Sequence, residues 1–321
     1  MDVKKRVRQL LKQGFKHLAS DLYIFPNQTK YDLSFRFHHD IEIYESISME
    51  EGEKIILYLK YLAGMDIAEK RKTQVGSTSI KLGKKSYRIR LSSVGDYLNR
   101  ETLVVRFLQD NRGKNKLNYV LDKQFEALEK SVQVPGLYLF SGPTGAGKST
   151  TMYQLATSLN RNKNKQIITI EDPVEIENTE FLQFQVNNKI DLSYQELVKV
   201  CLRHRPDILI IGEIRDQETA KMVVRAALTG HMVFSTIHAT NKESVLIRLK
   251  EFGIPEVELI QSLRGVIYQE LVPVISKEKY AVLYDWSING VITNWEENLQ
   301  EAVQKERITK ETSLYYKAFL Q

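Results

Sequence analysis

Apolar positions change their rhythm twice along this chain of 321 residues. At the start Val3, Val7, Leu10, Leu11, Phe15 and Leu18 recur at helical spacing, with Lys4, Lys5, Arg6, Arg8, Lys12 and Lys16 between them. The spacing predicts an amphipathic helix with a basic face, which either lies on a membrane or partner or packs on its own domain. Alternation then takes over at 22–25 and 33–37, two strands separated by Pro26, Asn27 and Gln28 in a hairpin. Helical spacing returns over 47–62, where Glu50, Glu51 and Glu53 sit near the start and Ile55, Ile56, Leu59 and Leu62 share one face. Residues 74–82 and 86–92 read as a second hairpin about Gly83, and 101–108 as a further strand. This α+β texture ends in the polar stretch 111–118, the predicted linker.

Beyond it the alternation gives way to continuous apolar runs at 137–140, 166–170, 208–211 and 232–236. Helix-compatible stretches at 149–159, 194–202 and 217–228 lie between them. Strands alternating with helices predict a parallel sheet covered by helices. Residues 255–269 read as one more helix and 280–288 as a strand pair. The stretch holding Glu296, Glu297, Glu301 and Lys305 reads as a solvated helix. There is no internal repeat and no low-complexity tract.

Composition changes this picture little. Charged and apolar fractions of 27% and 42% are those of ordinary globular proteins. No window approaches the run of about twenty apolar residues that spans a bilayer. The basic N-terminal stretch lacks the apolar segment of a secretion signal, so a cytoplasmic protein is expected. Cys201 is the single cysteine, which excludes an intrachain disulfide and a multi-cysteine zinc site. Its neighbours Val200 and Leu202 predict a buried, unreactive thiol. A net charge of +6 permits contact with nucleic acid or acidic headgroups without demanding it.

Chemistry enters at 137–151, an apolar run followed by Ser141-Gly-Pro-Thr-Gly-Ala-Gly-Lys-Ser-Thr-Thr151. Gly142, Gly147, Lys148 and Ser149 meet the pattern G-x-x-x-x-G-K-[ST] between a strand and a helix. Glycines at 142, 145 and 147 let backbone N–H groups converge on phosphate, and the following helix adds its positive end. The predicted phosphate loop is Gly142, Pro143, Thr144, Gly145, Ala146, Gly147, Lys148, Ser149 and Thr150. Lys148 then reaches the β- and γ-phosphates of ATP, and the Ser149 hydroxyl ligates Mg²⁺.

Three further runs end in polar groups. The first ends in Glu171-Asp172-Pro173, where the proline stops the strand and leaves both acids at the carboxyl edge of the sheet, where such sheets bind ligands. The second, from Asp207, ends in Gly212-Glu213, with Arg215 and Asp216 in the turn. Glycine at 212 shifts the chemistry onto Glu213, as an acid that holds the metal's water shell or orients the attacking water. The third is bracketed by His231 and His238, and Thr236 and His238 lie within reach of the γ-phosphate.

These residues closely resemble the traffic ATPases of type II secretion, type IV pilus and competence systems. The resemblance rests on Gly142–Thr150 as Walker A, 169–175 (T-I-E-D-P-V-E) as the aspartate box, 210–216 (I-I-G-E-I-R-D) as Walker B and 230–241 as the histidine box. It extends to 17–26, similar to the family's A-S-D-I-H-x-E-P signature, although Tyr23 and Phe25 replace its His and Glu. Arg205 stands where secretion members usually carry Asp. A short chain without the metal-binding cysteines or the long N-terminal docking domain most resembles the competence branch in Gram-positive bacteria.

The resemblance implies a fold of the α/β class: a RecA-like P-loop NTPase core at 119–260, a smaller N-terminal α+β domain at 1–110, a linker at 111–118 and a helical tail at 261–321. It implies Glu171 as first choice for general base, with Glu213 the alternative or the holder of Mg²⁺ through water. His238 senses the γ-phosphate. Arg90 and Arg106 act as arginine fingers, with Arg215 a weaker candidate for the same role. The implied assembly is a homohexamer that hydrolyses ATP at the inner face of the cell membrane. It drives a polytopic platform protein that assembles a competence pilus or pseudopilus for DNA uptake. No sequence-specific nucleic acid binding is expected. The alternatives are a pilus-retraction or type IV secretion ATPase, a nucleic-acid-dependent RecA-like ATPase, and a nucleotide-binding scaffold without turnover.

Overall fold

A computed structural model describes residues 2–37, 40–83, 85–108, 117–162, 164–187, 191–276 and 280–318. The chain divides into two compact units, Met1–Asn111 and Arg112–Gln321. Most of the expected linker, 111–116, lies outside the described residues.

The first unit contains α1 (Val3–Lys16), β1 (Asp21–Asn27), β2 (Lys30–Phe37), β3 (Asp40–Ser48), α2 (Met49–Leu62), β4 (Gln74–Leu82), β5 (Lys85–Gly95) and β6 (Glu101–Leu108). Its antiparallel sheet has the order β3-β2-β1-β6-β5-β4. Alternate residues of the strands, among them Leu22, Ile24, Ile89, Leu91, Leu103 and Val105, point to one face and form a single core with α1 and α2. Of the alternatives for the first helix, packing on its own unit is the one realised: Val7, Leu10, Leu11 and Phe15 are buried. Burying each such side chain contributes about 1.5–3 kcal/mol. The helix expected over 47–62 begins at Met49, because Ser48 caps it by accepting from the Glu51 N–H. The residues before it form the edge strand β3, exposed except for Ile47. A buried ion pair pins α2 to β6: Lys60 donates to the Glu101 carboxylate and to the Glu69 carbonyl, and Ser93 donates to the same carboxylate.

The second unit contains α3 (Gln124–Ser131), β7 (Gly136–Ser141), α4 (Lys148–Leu159), β8 (Ile167–Glu171), β9 (Leu182–Gln185), α5 (Tyr194–Arg203), β10 (Ile208–Ile214), α6 (Gln217–Leu228), β11 (Met232–Ile237), α7 (Lys242–Glu251) and α8 (Glu256–Ser262). β12 (Leu263–Pro273), β13 (Tyr280–Ile288), β14 (Val291–Ile292), α9 (Trp295–Gln304) and α10 (Lys310–Ala318) follow. Sheet order is β14-β13-β12-β7-β11-β10-β8-β9. The strands from β12 to β9 run parallel to their neighbours, and β13 and β14 are antiparallel additions. Both faces are covered. Leu137 and Leu139 enter a core with α5, α6 and α7, while Tyr138 and Phe140 enter another with α3 and α4. Two buried faces explain the continuous apolar runs.

The C-terminal part corrects the expected layout. The helix read over 255–269 ends at Ser262, and Leu263–Pro273 is a strand paired in parallel with β7. The sheet therefore continues past residue 260, and the segment after it is not a helical tail. Nor is α9 solvated on all sides: Trp295, Leu299 and Ala302 are buried against Tyr268, Val272 and Leu283 of the β12–β13 hairpin. Cys201 is buried among the apolar side chains under α5, and burial pushes its thiol up to about 11.

Candidate functional site

Strand β7 is buried along its whole length and delivers the chain to Gly142. There φ is +134°, and a Cβ would stand 2.1 Å from the Gln269 carbonyl oxygen on β12, so only glycine fits. Pro143, Thr144 and Gly145 are exposed, Ala146 is buried, and the turn closes at Gly147, which opens α4. Gln269 supports the turn from below through a hydrogen bond from its side-chain amide to the Ala146 carbonyl at 2.6 Å.

Helix α4 starts without a side-chain cap and without an acid in its first turn, so its N-terminal N–H groups and positive end are open to an anion. Ser149 and Thr150 lie in that first turn, both partly buried. Lys148 is buried and donates to the carbonyls of Gly142 at 2.9 Å and Pro143 at 2.8 Å, which holds its ammonium over the loop. Burial lowers its pKa, opposed by the charges of Glu213 and Glu175. This arrangement fits a triphosphate: an uncrowded glycine at 145 with nothing within 4 Å of a Cβ position, a cation at the mouth and an uncapped helix end.

β11, β10 and β8 follow β7 in order, so their carboxyl ends lie side by side next to the loop. Ser141 pairs with Ile237, and Phe140 with Thr236. Register slips between β10 and β11 at Gly212, a bulge that sets Glu213 opposite Thr236. The Thr236 hydroxyl donates to the Gly212 carbonyl at 2.9 Å and holds the bulge. Glu213 accepts from Arg215 at 2.5 Å and lies 3.8 Å from Nε2 of His238. The bond to Glu213 raises the Arg215 pKa. Burial lowers that of His238, as does the positive charge of Lys148, against the pull of Glu213. Tyr194 packs its hydroxyl against Gly212, and burial together with Asp172 and Glu213 pushes it up.

Glu171, the last residue of β8, is 5% exposed. Its Oε1 accepts from the hydroxyl of Tyr153 on α4 and from that of Thr169 at 2.8 Å. Gln183 of β9 donates to the Tyr153 oxygen at 2.7 Å, which leaves the tyrosine proton for Glu171. Burial raises the Glu171 pKa, moderated by these two hydroxyls.

The geometry thus brings Lys148, Glu213, Arg215 and His238 into mutual electrostatic reach, with Glu171 on the same sheet edge. Arg90 and Arg106 belong to the other unit. They face each other across β5 and β6, and Arg106 donates to the buried Asp21 at 2.9 Å. Sequence reasoning missed Tyr153, Tyr194, Gln183 and Gln269. The one usable signal was polar side chains inside an apolar run, as in Gln269-Glu270 within Val266–Val272 or Tyr153-Gln154 within 152–156. Among the described residues no cluster of three or more His, Cys, Asp or Glu side chains forms a metal cage. A cation here would be shared with phosphate, for which the Ser149 hydroxyl and Glu213 are suitable donors.

A family model described as "Type II/IV secretion system protein" matches residues 2–315. The chain is 43% identical over 270 residues to the competence protein ComGA of Streptococcus pneumoniae, covering 84% of this chain and 85% of that one. Among solved structures, the ATPase DotB of Legionella pneumophila matches with a TM-score of 0.76 at 17% identity, covering 97% of this chain and 94% of that one. The pilus retraction motor PilT, solved with bound ADP, matches with a TM-score of 0.73 at 23% identity, covering 96% of each. At these identities the two structures bear on the fold alone, which is α/β with a RecA-like P-loop core, as expected.

Proposed function

Because the chain belongs to the type II/IV secretion system protein family, we propose that it is an ATP-hydrolysing motor that powers assembly of a competence pilus or pseudopilus for DNA uptake. The observation that carries the reading is the phosphate loop faced by two acidic strand ends and a histidine along one sheet edge.

ATP enters with its phosphates against the N–H groups of 142–150, and Lys148 exchanges its carbonyl partners for the β- and γ-phosphates. The Ser149 hydroxyl and, through water, Glu213 would hold Mg²⁺, which would supply neutralisation of the phosphate charge. Glu171 polarises the attacking water, a role that suits a carboxylate whose pKa burial raises. His238, beside Glu213, registers whether the γ-phosphate is present. Arg90 and Arg106 supply charge from the first unit, within a ring of six copies. The ring works at the inner face of the membrane on a polytopic platform protein. No described helix is long and apolar enough to cross the membrane itself.

The test is steady-state ATP hydrolysis by the purified chain with Mg²⁺, beside Lys148→Ala and Glu213→Gln, with particle mass followed in parallel. Turnover that both substitutions abolish, in a hexamer indifferent to added DNA, is the expected result. A monomer that turns over only with DNA would overturn the reading in favour of a nucleic-acid-dependent ATPase.

A further inference from the structure

The basic face of α1 remains uncovered by its own unit. Its apolar side is committed to the core through Val7, Leu10, Leu11 and Phe15, which leaves only Leu18, exposed just past the helix end, as an apolar side chain for a bilayer. On the outer side Lys4, Lys5, Arg8, Lys12 and Lys16 are all exposed. With Lys81 of the β4–β5 hairpin they line an open groove of about 820 Å³. None of these six cations pairs with a carboxylate among the described residues, whereas Arg6, on the flank of the same helix, pairs with both Glu45 and Glu51. Asp2, the groove's one acid, is engaged as the helix cap, accepting from the Lys4 N–H.

This stripe opposes the stability of the helix that carries it. Lys4 and Arg8, Arg8 and Lys12, and Lys12 and Lys16 are each four residues apart, so like charges stack along about 18 Å of helix. The first turn holds lysines and no acid, against the helix dipole. Charge kept in this way is a surface that a bound array of anions would relieve.

We propose that this face docks the protein electrostatically on the anionic headgroups of a lipid membrane. The proposal rests on the reading of the chain as a motor working at a membrane and adds the surface that holds it there. Lysine-rich surface without a protruding apolar anchor is poor material for a protein–protein hot spot. Phe15 and Tyr87 in the groove lie with ring centroids 4.3 Å apart and are spent on each other, leaving no free platform for stacking bases. Headgroup phosphates require neither anchor nor platform, and several copies in one ring would add avidity.

Co-sedimentation of the full chain with vesicles tests this. The protein should pellet with vesicles of equal parts phosphatidylglycerol and phosphatidylcholine, and not with phosphatidylcholine alone. The triple variant Lys5→Gln, Arg8→Gln, Lys12→Gln should partition on the order of a hundredfold less. Raising salt should weaken the wild type in the same direction. A charge-matched control, Lys221→Gln, Lys250→Gln, Lys305→Gln, should partition nearly as the wild type does. The groove triple should melt no lower than wild type, since it relieves like-charge contacts, and if it does not fold, Arg8→Gln alone should still lose about fivefold. Equal loss in both triples, or binding of an oligonucleotide or polyglutamate while anionic vesicles are ignored, would overturn the proposal. A chain that hydrolyses ATP but ignores anionic vesicles sinks the docking surface and leaves the motor. One that pellets without hydrolysing does the reverse.

Discussion

Glu171 and Glu213 stand at the ends of adjacent strands, yet their surroundings have little in common. Glu171 is sealed in and held by two hydroxyls, and burial raises its pKa, with the charge of Glu175 acting in the same direction. Glu213, 23% exposed, rides a bulge, is bonded to Arg215 and lies near His238 and Lys148. The difference teaches a division of labour: a carboxylate that exchanges a proton is well placed in a dry setting, and one that organises charge is well placed among cations.

The largest loss is expected from Lys148→Ala, which removes the cation that lies over the phosphate loop and is coupled to Glu213; ATP turnover should fall at least a thousandfold. Glu171→Gln should cost roughly a hundred- to a thousandfold in kcat. Glu213→Gln should also abolish turnover at ordinary Mg²⁺ but regain part of it as Mg²⁺ is raised, whereas Glu171→Gln should not, and a titration of Mg²⁺ separates the two variants. Tyr153→Phe is gentler. It deletes a donor that stabilises the Glu171 carboxylate, so the carboxyl pKa rises further and the acid limb of kcat moves to higher pH. An unmoved limb would hand the general-base role to Glu213. The smallest effect is expected from Arg215→Gln. His238 loses a positive neighbour that depresses its pKa, and its imidazole should titrate at higher pH by NMR, with only a few-fold change in turnover.

What could be read in advance follows the range of the interactions. The phosphate loop, Glu171, Glu213 and His238 were legible because each is a local pattern at the end of an apolar run. The network around Glu171 was not, because Tyr153 reaches it from α4 and Gln183, which bonds Tyr153, comes from β9. The bulge at Gly212 depends on the neighbouring strand's register, which no single segment specifies. The first part of β12 reads as helix because Leu259, Leu263, Val266 and Ile267 satisfy helical spacing as well as a strand packed on both faces. Edge strand β3 was overlooked for the opposite reason, as it buries only Ile47.

The seat of Gly142 on Gln269 also sets an order of events during synthesis. The phosphate loop emerges from the ribosome more than a hundred residues ahead of the strand that supports it. At about 5–20 residues per second, several seconds separate the two. Until β12 arrives, strand β7 has an open edge and the nascent loop lacks its floor. Nucleotide capture therefore reports that translation has passed residue 273, and a polypeptide cut short at 260 would carry every signature motif of the motor without a formed binding loop.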